Sequence, residues 1–371
     1  MKPRKIPVAA PVLGGREKEY VNDCLDSTWI SSQGKYLDQF QEKFAAYCHS
    51  RHAVACCNGT VALHLALMAF DLQPGDEVIV PSLTFVATAN AVVYCGAVPI
   101  FVDSEPVTGN LDPAKIEELI TPRTKGIIAV HLFGHPADMD ALRVITNRHN
   151  LFLIEDAAEA HGALYRGAPA GGLGDIATFS FYGNKIITCG EGGLVLTNRD
   201  DLATKISLLR GQGMDPARRY WFPIVGYNYR MTNLAAAIGL AQLEMIDWHL
   251  GRRRDVAMGY LERLKDFPGI TLHREQSWAK HAYWMFTINL DGADAVRRDA
   301  VMSSLAERGI ETRPVFYPLH TLPPYEKGHG GRPMPVSERL AWTGINLPTW
   351  AGLTEDDLDY ICQALGEALK G

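Results

Sequence analysis

Seven short apolar runs between residues 53 and 197 constrain the fold of this chain most strongly. Most of them are apolar throughout rather than alternating, which is typical of strands in a sheet that is covered on both faces. The predicted strands are residues 53–57, 77–80, 98–103, 126–133, 151–155, 177–181 and 193–197.

Helix-like segments separate the first of these strands. They are predicted at residues 60–70, 84–94, 113–120 and 139–148. Such alternation favours an α/β fold with a largely parallel sheet and right-handed crossovers. From residue 151 to residue 197 the strands follow one another without a helical segment, so we expect a mixed sheet.

The length of 371 residues favours two domains. Thr232 is a candidate cap for a long Ala- and Leu-rich helix over residues 234–250. The basic run at residues 252–254 then suggests a boundary. We therefore predict a large domain at residues 1–250 and a smaller α+β domain at residues 251–371.

The composition of the chain disfavours nucleic acid, a membrane and a metal ion as binding partners. The net charge is −6, and no basic stripe is available to neutralise phosphates, which disfavours nucleic acid as the main partner. No apolar run approaches membrane-spanning length. The seven cysteines have no metal-ligand spacing, and most lie in apolar segments, so we expect no metal site and a reducing, cytoplasmic setting.

Asp156 and Lys185 form the most informative pair of polar residues. Asp156 ends an apolar run, and Lys185 follows it by 29 residues (185 − 156). A buried aspartate can keep the ring nitrogen of pyridoxal phosphate protonated, and a lysine can form the Schiff base with its aldehyde. Taken singly, the aspartate could cap a helix and the lysine could be solvated.

The segment Asn58-Gly59-Thr60 lies between a predicted strand and a predicted helix. Backbone N–H groups at a helix start favour an anion, and glycine lets a phosphate approach closely. Thr60 and Ser180 add hydroxyl donors for the same phosphate. The plain alternative is that Asn58 only caps the helix.

Three more side chains are candidates for contact with the cofactor ring. Phe85 could stack on a flat pyridine ring, although a core aromatic at a helix start is the simpler interpretation. The methyl group of Ala158 could cover the opposite face. Glu159 is placed to reach the phenolic oxygen.

Loop segments supply candidate substrate residues. Residues 221–232 are dense in aromatics and could dock on a symmetry mate, or could be ordinary core. An arginine just upstream could meet a pyrophosphate, or could be solvated. The candidate substrate-binding residues are Trp29, Ser31, Arg219, Arg230, Tyr317 and His320.

Taken together, residues 58–60, 155–158, 180–185, 190–193 and 227–232 resemble the sugar-nucleotide aminotransferases of the DegT/StrS type. The resemblance implies an aspartate-aminotransferase-like fold (fold type I) with pyridoxal 5'-phosphate as cofactor. It makes Lys185 the Schiff-base lysine and Asp156 the partner of the ring nitrogen, with Gly59, Thr60 and Ser180 on the phosphate. It also implies a homodimer with shared sites, in which Asn228 reaches the phosphate of the neighbouring subunit.

The resemblance further implies transfer of an amino group from L-glutamate to carbon 4 of GDP-4-keto-6-deoxymannose, in O-antigen synthesis. Some relatives have histidine at the position of Lys185 and act as dehydratases, so the lysine favours transamination. Two alternatives stay open at this point. One is an aminotransferase for a UDP- or dTDP-linked keto sugar, and the other is a non-enzymatic regulator that retains the fold.

Overall fold

A computed structural model describes residues 4–328 and 330–370. Its strands are short, and most connect through a helix or a tight turn. They are β1 (His52–Cys56), β2 (Glu77–Pro81), β3 (Val98–Val102), β4 (Thr124–Val130), β5 (Phe152–Asp156), β6 (Leu164–Tyr165), β7 (Ala168–Pro169), β8 (Ile176–Ser180), β9 (Gly193–Thr197), β10 (Ile270–Leu272), β11 (Ala279–Lys280), β12 (Phe286–Leu290), β13 (Arg313–Pro314) and β14 (Gly344–Leu347).

The α-helices flank the strands and form most of the N- and C-terminal parts. They are α1 (Glu17–Asp26), α2 (Lys35–Tyr47), α3 (Gly59–Met68), α4 (Ala87–Tyr94), α5 (Met139–His149), α6 (Asp200–Arg210), α7 (Asn233–Glu244), α8 (Ile246–Leu264), α9 (Ala295–Glu307), α10 (Pro335–Thr343) and α11 (Glu355–Lys370).

The seven predicted strands form one sheet in the order β1-β9-β8-β5-β4-β2-β3. β9 is antiparallel to both of its neighbours, and the remaining pairs are parallel. The predicted mixed, mostly parallel sheet is therefore confirmed. Only β9 reverses direction, because tight turns rather than a helix connect it to β8.

Alternate residues of one strand pack on opposite faces of this sheet. Val54 and Cys56 of β1 belong to a core cluster with α3 and α4, whereas Ala55 packs with α2 and α7. Both faces are thus covered, which explains why the strands read as continuous apolar runs.

Two helix predictions were wrong in detail. Residues 113–120 form two 3₁₀ turns, Pro113–Lys115 and Glu117–Leu119. Such a short segment forms too few hydrogen bonds to offset the unfavourable nucleation of an α-helix. The predicted helix at 234–250 is divided at Met245, whose φ of −108° and ψ of 10° leave the helical region. The predicted cap is confirmed, since the Thr232 side chain accepts a hydrogen bond from Ala235 N.

The C-terminal part carries a separate four-stranded antiparallel sheet in the order β10-β12-β14-β13. Residues of α8, α9 and α11 join its apolar cluster. α8 continues without interruption across residue 250. The division of the chain after that residue stays a prediction.

Two chemical properties of the described residues bear on function. No helix within them is long and apolar enough to cross a membrane. No group of three or more His, Cys, Asp or Glu side chains in the same ranges could hold a metal ion.

Candidate active site

Three predicted motifs meet at one edge of the large sheet. Asp156 ends β5, Ser180 ends β8, and Gly59 begins α3 just after β1. These strands run in the same direction, so the residues that follow them meet at the carboxyl edge, where α/β sheets bind ligands. They line a cavity of about 470 Å³ together with Glu159, Lys185, Trp284 and Arg313.

Lys185 lies in the turn between β8 and β9 and faces the cavity. Its Nζ lies 4.1 Å from the centroid of the Trp284 ring, and its side chain is 11% exposed. Trp284 is itself fixed, because its Nε1–H donates to the carbonyl of Asn184 at 2.8 Å. Burial lowers the pKa of the lysine, more than the carboxylates of Glu159 and Asp156 raise it. The amine is therefore more often neutral than a solvated lysine.

Asp156 is buried at the end of β5. Its Oδ2 accepts a hydrogen bond from Thr88 Oγ1 at 2.8 Å, and its Oδ1 accepts one from Ala158 N at 3.3 Å. Burial nevertheless raises the pKa of this carboxyl group. The two donors and the charge of Lys185 do not compensate for its desolvation, so a further cation in the cavity would stabilise the ionised form.

Glu159 lies beside Lys185 on the same wall. Its Oε2 accepts a hydrogen bond from Phe133 N at 2.7 Å, and its Oε1 lies 4.0 Å from Lys185 Nζ. Burial raises its pKa to about 7, an effect that the lysine only partly opposes. The group can therefore exist in either protonation state near neutral pH.

The start of α3 forms a cradle for an anion. Asn58 caps the helix by accepting from Val61 N at 3.0 Å, which leaves the N–H groups of Gly59 and Thr60 without an acceptor inside the helix. A Cβ at Gly59 would lie 2.6 Å from Ser180 Cβ. The cap and the predicted anion site are therefore compatible, and the glycine keeps the space open.

These groups fit pyridoxal phosphate. The cradle at Gly59 suits its phosphate, and the amine of Lys185 suits its aldehyde. The decisive observation is Asp156, because a protonated pyridine nitrogen is the kind of cation that this buried carboxylate needs.

The DegT/DnrJ/EryC1/StrS aminotransferase family matches residues 11–366. The chain belongs to this family. A relative from Caulobacter vibrioides, named GDP-perosamine synthase, is 55% identical over 98% of this chain and 98% of its own. A relative of the same name from Escherichia coli O157:H7 is 49% identical, again over 98% of both chains. Helicobacter pylori PseC, an aminotransferase involved in the biosynthesis of pseudoaminic acid, has a TM-score of 0.94 at 27% identity and covers 99% of this chain and 100% of its own.

Family membership confirms the predicted class of enzyme, a sugar aminotransferase with pyridoxal phosphate as cofactor. The solved relative confirms the aspartate-aminotransferase-like fold. The roles of individual residues stay predictions.

Most of the predicted cofactor residues line the cavity, namely Gly59, Thr60, Phe85, Asp156, Glu159, Ser180 and Lys185. Asn228 is not among the lining residues of its own chain; its Oδ1 accepts hydrogen bonds from Arg230, at 3.0 Å from Nη2. Phe85 is 55% exposed, so its ring forms the outer rim rather than a core contact.

Two predicted substrate residues line a different cavity, of about 870 Å³. Trp29 and Arg230 both face it. Ser31 lies next to this cavity, and its carbonyl accepts a hydrogen bond from Asn233 N at 2.5 Å. This single chain therefore does not bring Trp29, Ser31 and Arg230 together with Lys185.

The remaining substrate candidates also lie away from the lining of the cavity around Lys185. Arg219 is exposed, with its guanidinium carbon 5.0 Å from the centroid of Tyr220. Tyr317 is 47% exposed. His320 is buried, with Nδ1 2.6 Å from Ser82 Oγ and Nε2 3.2 Å from Glu338 Oε1. These contacts hold the ring between two segments, and its predicted role toward substrate stays a prediction.

Several residues of the site were not predicted from sequence, and four of them bear on its chemistry. Thr88 bonds to Asp156, and Trp284, Arg313 and Phe316 line the cavity from the C-terminal part of the chain. Thr88 lies three residues beyond the predicted Phe85, in the first turn of α4, which was a usable signal. The other three follow Lys185 by about a hundred residues or more, and only the fold brings them to it.

Proposed function

We propose that this aminotransferase moves the amino group of L-glutamate to carbon 4 of GDP-4-keto-6-deoxymannose, giving GDP-perosamine and 2-oxoglutarate. One observation carries the proposal: relatives named GDP-perosamine synthase are 55% and 49% identical over nearly the whole of both chains. The lysine at position 185 supports transamination, because it supplies the amine that this chemistry requires.

The polar groups of the cavity have different roles in the proposed reaction. When bound, pyridoxal phosphate supplies an electron sink that makes the Cα–H bond of the donor acidic. Lys185 Nζ takes the proton from that Cα, and in the second half-reaction it returns a proton to carbon 4 of the sugar. Its lowered pKa favours this role, because a neutral amine is needed to accept the proton.

The remaining polar groups hold the cofactor and take no part in the proton transfers. They are Asp156, Gly59, Thr60 and Ser180. The carboxylate of Asp156 keeps a positive charge at the ring nitrogen, and the start of α3 binds the phosphate. Trp284 forms an apolar wall beside Lys185, which limits the access of water to the amine.

We also propose that the enzyme works as a homodimer with shared active sites. Asn228 does not line the cavity of its own chain, and the nearby segment presents Tyr220 at 73% exposed and Val225 at 88% exposed. Such an apolar surface fits contact with a second copy. That contact would carry Asn228 to the phosphate in the other site and would bring Trp29 and Arg230 near bound substrate.

The proposed product implies a role in O-antigen and lipopolysaccharide synthesis. All seven cysteines are free thiols in this structure. A reducing cytoplasm is the compartment in which free thiols persist, and we place the enzyme there.

A panel of nucleotide-linked keto sugars tests the substrate. The holoenzyme is mixed with L-glutamate and a GDP-, UDP- or dTDP-linked 4-keto-6-deoxy sugar, and products are identified by mass spectrometry. We expect kcat/KM for the GDP sugar to exceed the others by at least about tenfold. A preference for a UDP or dTDP sugar would overturn the proposal, and no turnover with any of them would favour a regulator.

A further inference from the structure

Arg313 is a cation in the active-site cavity that has no part in the proposed proton transfers or cofactor contacts. The acidic and basic side chains that line this cavity are Asp156, Glu159, Lys185, Glu191 and Arg313. Asp156 is matched to the ring nitrogen, and Lys185 to the cofactor aldehyde. Among the lining residues, Arg313 is the cation that stays available while the amino donor is bound.

The fold holds Arg313 in a defined place. The residue lies on β13, where it pairs with Asn346 of β14. The amide of Asn346 also donates to the carbonyl of Pro314, at 3.4 Å. The backbone of Arg313 is therefore anchored to the small antiparallel sheet, while its side chain extends to the cavity.

The charge of Arg313 acts on the catalytic amine. It is one of the groups that lower the pKa of Lys185, after burial of the lysine itself. This effect is smaller than those of Glu159 and Asp156, and it agrees with the position of Arg313 in the lining of the same cavity.

Arg313 forms a weak ion pair with Glu311, which a ligand can replace. Nη2 lies 3.7 Å from Glu311 Oε1, and the two side chains are 41% and 52% exposed. A long, exposed pair of this kind contributes little free energy, so an incoming carboxylate can take its place. A guanidinium binds a carboxylate with two parallel hydrogen bonds, which also fixes its orientation.

We propose that Arg313 binds a carboxylate of the amino donor and orients the donor's Cα–H bond toward Lys185. This inference rests on the proposed function, because it assumes a dicarboxylate amino acid as donor. It makes Arg313 a positioning residue for the first half-reaction, with no assigned part in recognising the nucleotide.

The test follows the first half-reaction by the cofactor's absorbance, in single turnovers of holoenzyme with increasing L-glutamate. For Arg313→Gln we expect the half-saturating glutamate concentration to rise at least about thirtyfold, and for Arg313→Lys about threefold to tenfold. KM for the sugar nucleotide should change less than threefold. Glu311→Gln is the matched control, and it should leave half-saturation unchanged or lower it.

Calorimetry with glutarate, a dicarboxylate without an amino group, gives a readout that does not depend on turnover. Its affinity should fall in Arg313→Gln and persist in Glu311→Gln. Wild-type half-saturation in Arg313→Gln, or an equal loss of affinity for both substrates, would overturn the inference. Because the absorbance reports cofactor binding separately, either result would leave the proposed aminotransferase function standing.

Discussion

Glu159 Oε1 lies 4.0 Å from Lys185 Nζ, a separation too long for a hydrogen bond between two buried, oppositely ionisable groups. The hydrogen bond from Phe133 N holds the other carboxylate oxygen. The pair is therefore only partly neutralised, and burial shifts the pKa of each group toward its uncharged form.

The first prediction concerns stability against pH in the cofactor-free protein. Folding raises the pKa of Glu159 from 4.5 to about 7, so the folded state binds this proton more tightly than the unfolded chain. The cost of ionising Glu159 is absent below about pH 4.5 and complete above about pH 7, where it is on the order of 3 kcal/mol. Glu159→Gln should remove that cost.

Denaturant unfolding of both proteins at pH 5 and pH 8 measures this difference. We expect the variant to gain about 2–3 kcal/mol relative to wild type between the two pH values. Lys185 and Asp156 are the charged groups that act on Glu159, and both proteins contain them. An equal dependence on pH in the two proteins would show that Glu159 is not held in a raised-pKa state.

The second prediction concerns the phosphate cradle. In Gly59→Ala the new Cβ would lie 2.6 Å from Ser180 Cβ, so either the helix start or the strand end has to move. We expect cofactor affinity to fall at least about tenfold, with a loss of about 1–3 kcal/mol in stability. Gly183→Ala is the matched control, since nothing lies within 4 Å of a Cβ there. Equal cofactor affinity in the two variants would contradict the cradle.

The third prediction concerns Thr88, whose hydroxyl donates to Asp156 Oδ2 at 2.8 Å. Thr88→Val removes a hydrogen bond to a carboxylate, worth about 1.5–3 kcal/mol, so kcat should fall about tenfold to a hundredfold. Thr88→Ser keeps the hydroxyl and should retain most of the activity. Full activity of the valine variant, with cofactor bound, would show that Asp156 does not need this support.

The fourth prediction tests the shared active site by complementation. Lys185→Ala and Asn228→Ala homodimers should each have little activity, since every site lacks one residue. Random mixing makes half of the dimers hybrid, and each hybrid contains one site with both native residues. Activity should then recover to about a quarter of wild type. Full activity of Asn228→Ala alone, or no recovery after verified subunit exchange, would contradict sharing.

The sequence predicted the large sheet well because burial on both faces produces a local signal. Each of the seven strands is a short apolar run, and a polar residue stands at or just after the end of several of them, as at Asn58 and Asp156. The carboxyl edge of a parallel sheet then brings those polar residues together.

Features that depend on packing between distant segments were not visible in the sequence. Met245 separates α7 from α8, although no glycine or proline marks the break. His320 lies in a loop-like sequence, yet contacts with Ser82 and Glu338 enclose it. Arg313 and Trp284 line the cavity around Lys185 because the fold brings distant parts of the chain together, which no local pattern predicts.

The most direct measurement of the central claim is the covalent attachment of the cofactor. Holoenzyme is treated with borohydride, which fixes pyridoxal phosphate to the amine that holds it, and its peptides are analysed by mass spectrometry. The label should be found on Lys185, and the visible absorbance should be absent from Lys185→Ala. An unmodified Lys185 in cofactor-saturated enzyme, or a label on another lysine, would contradict the account.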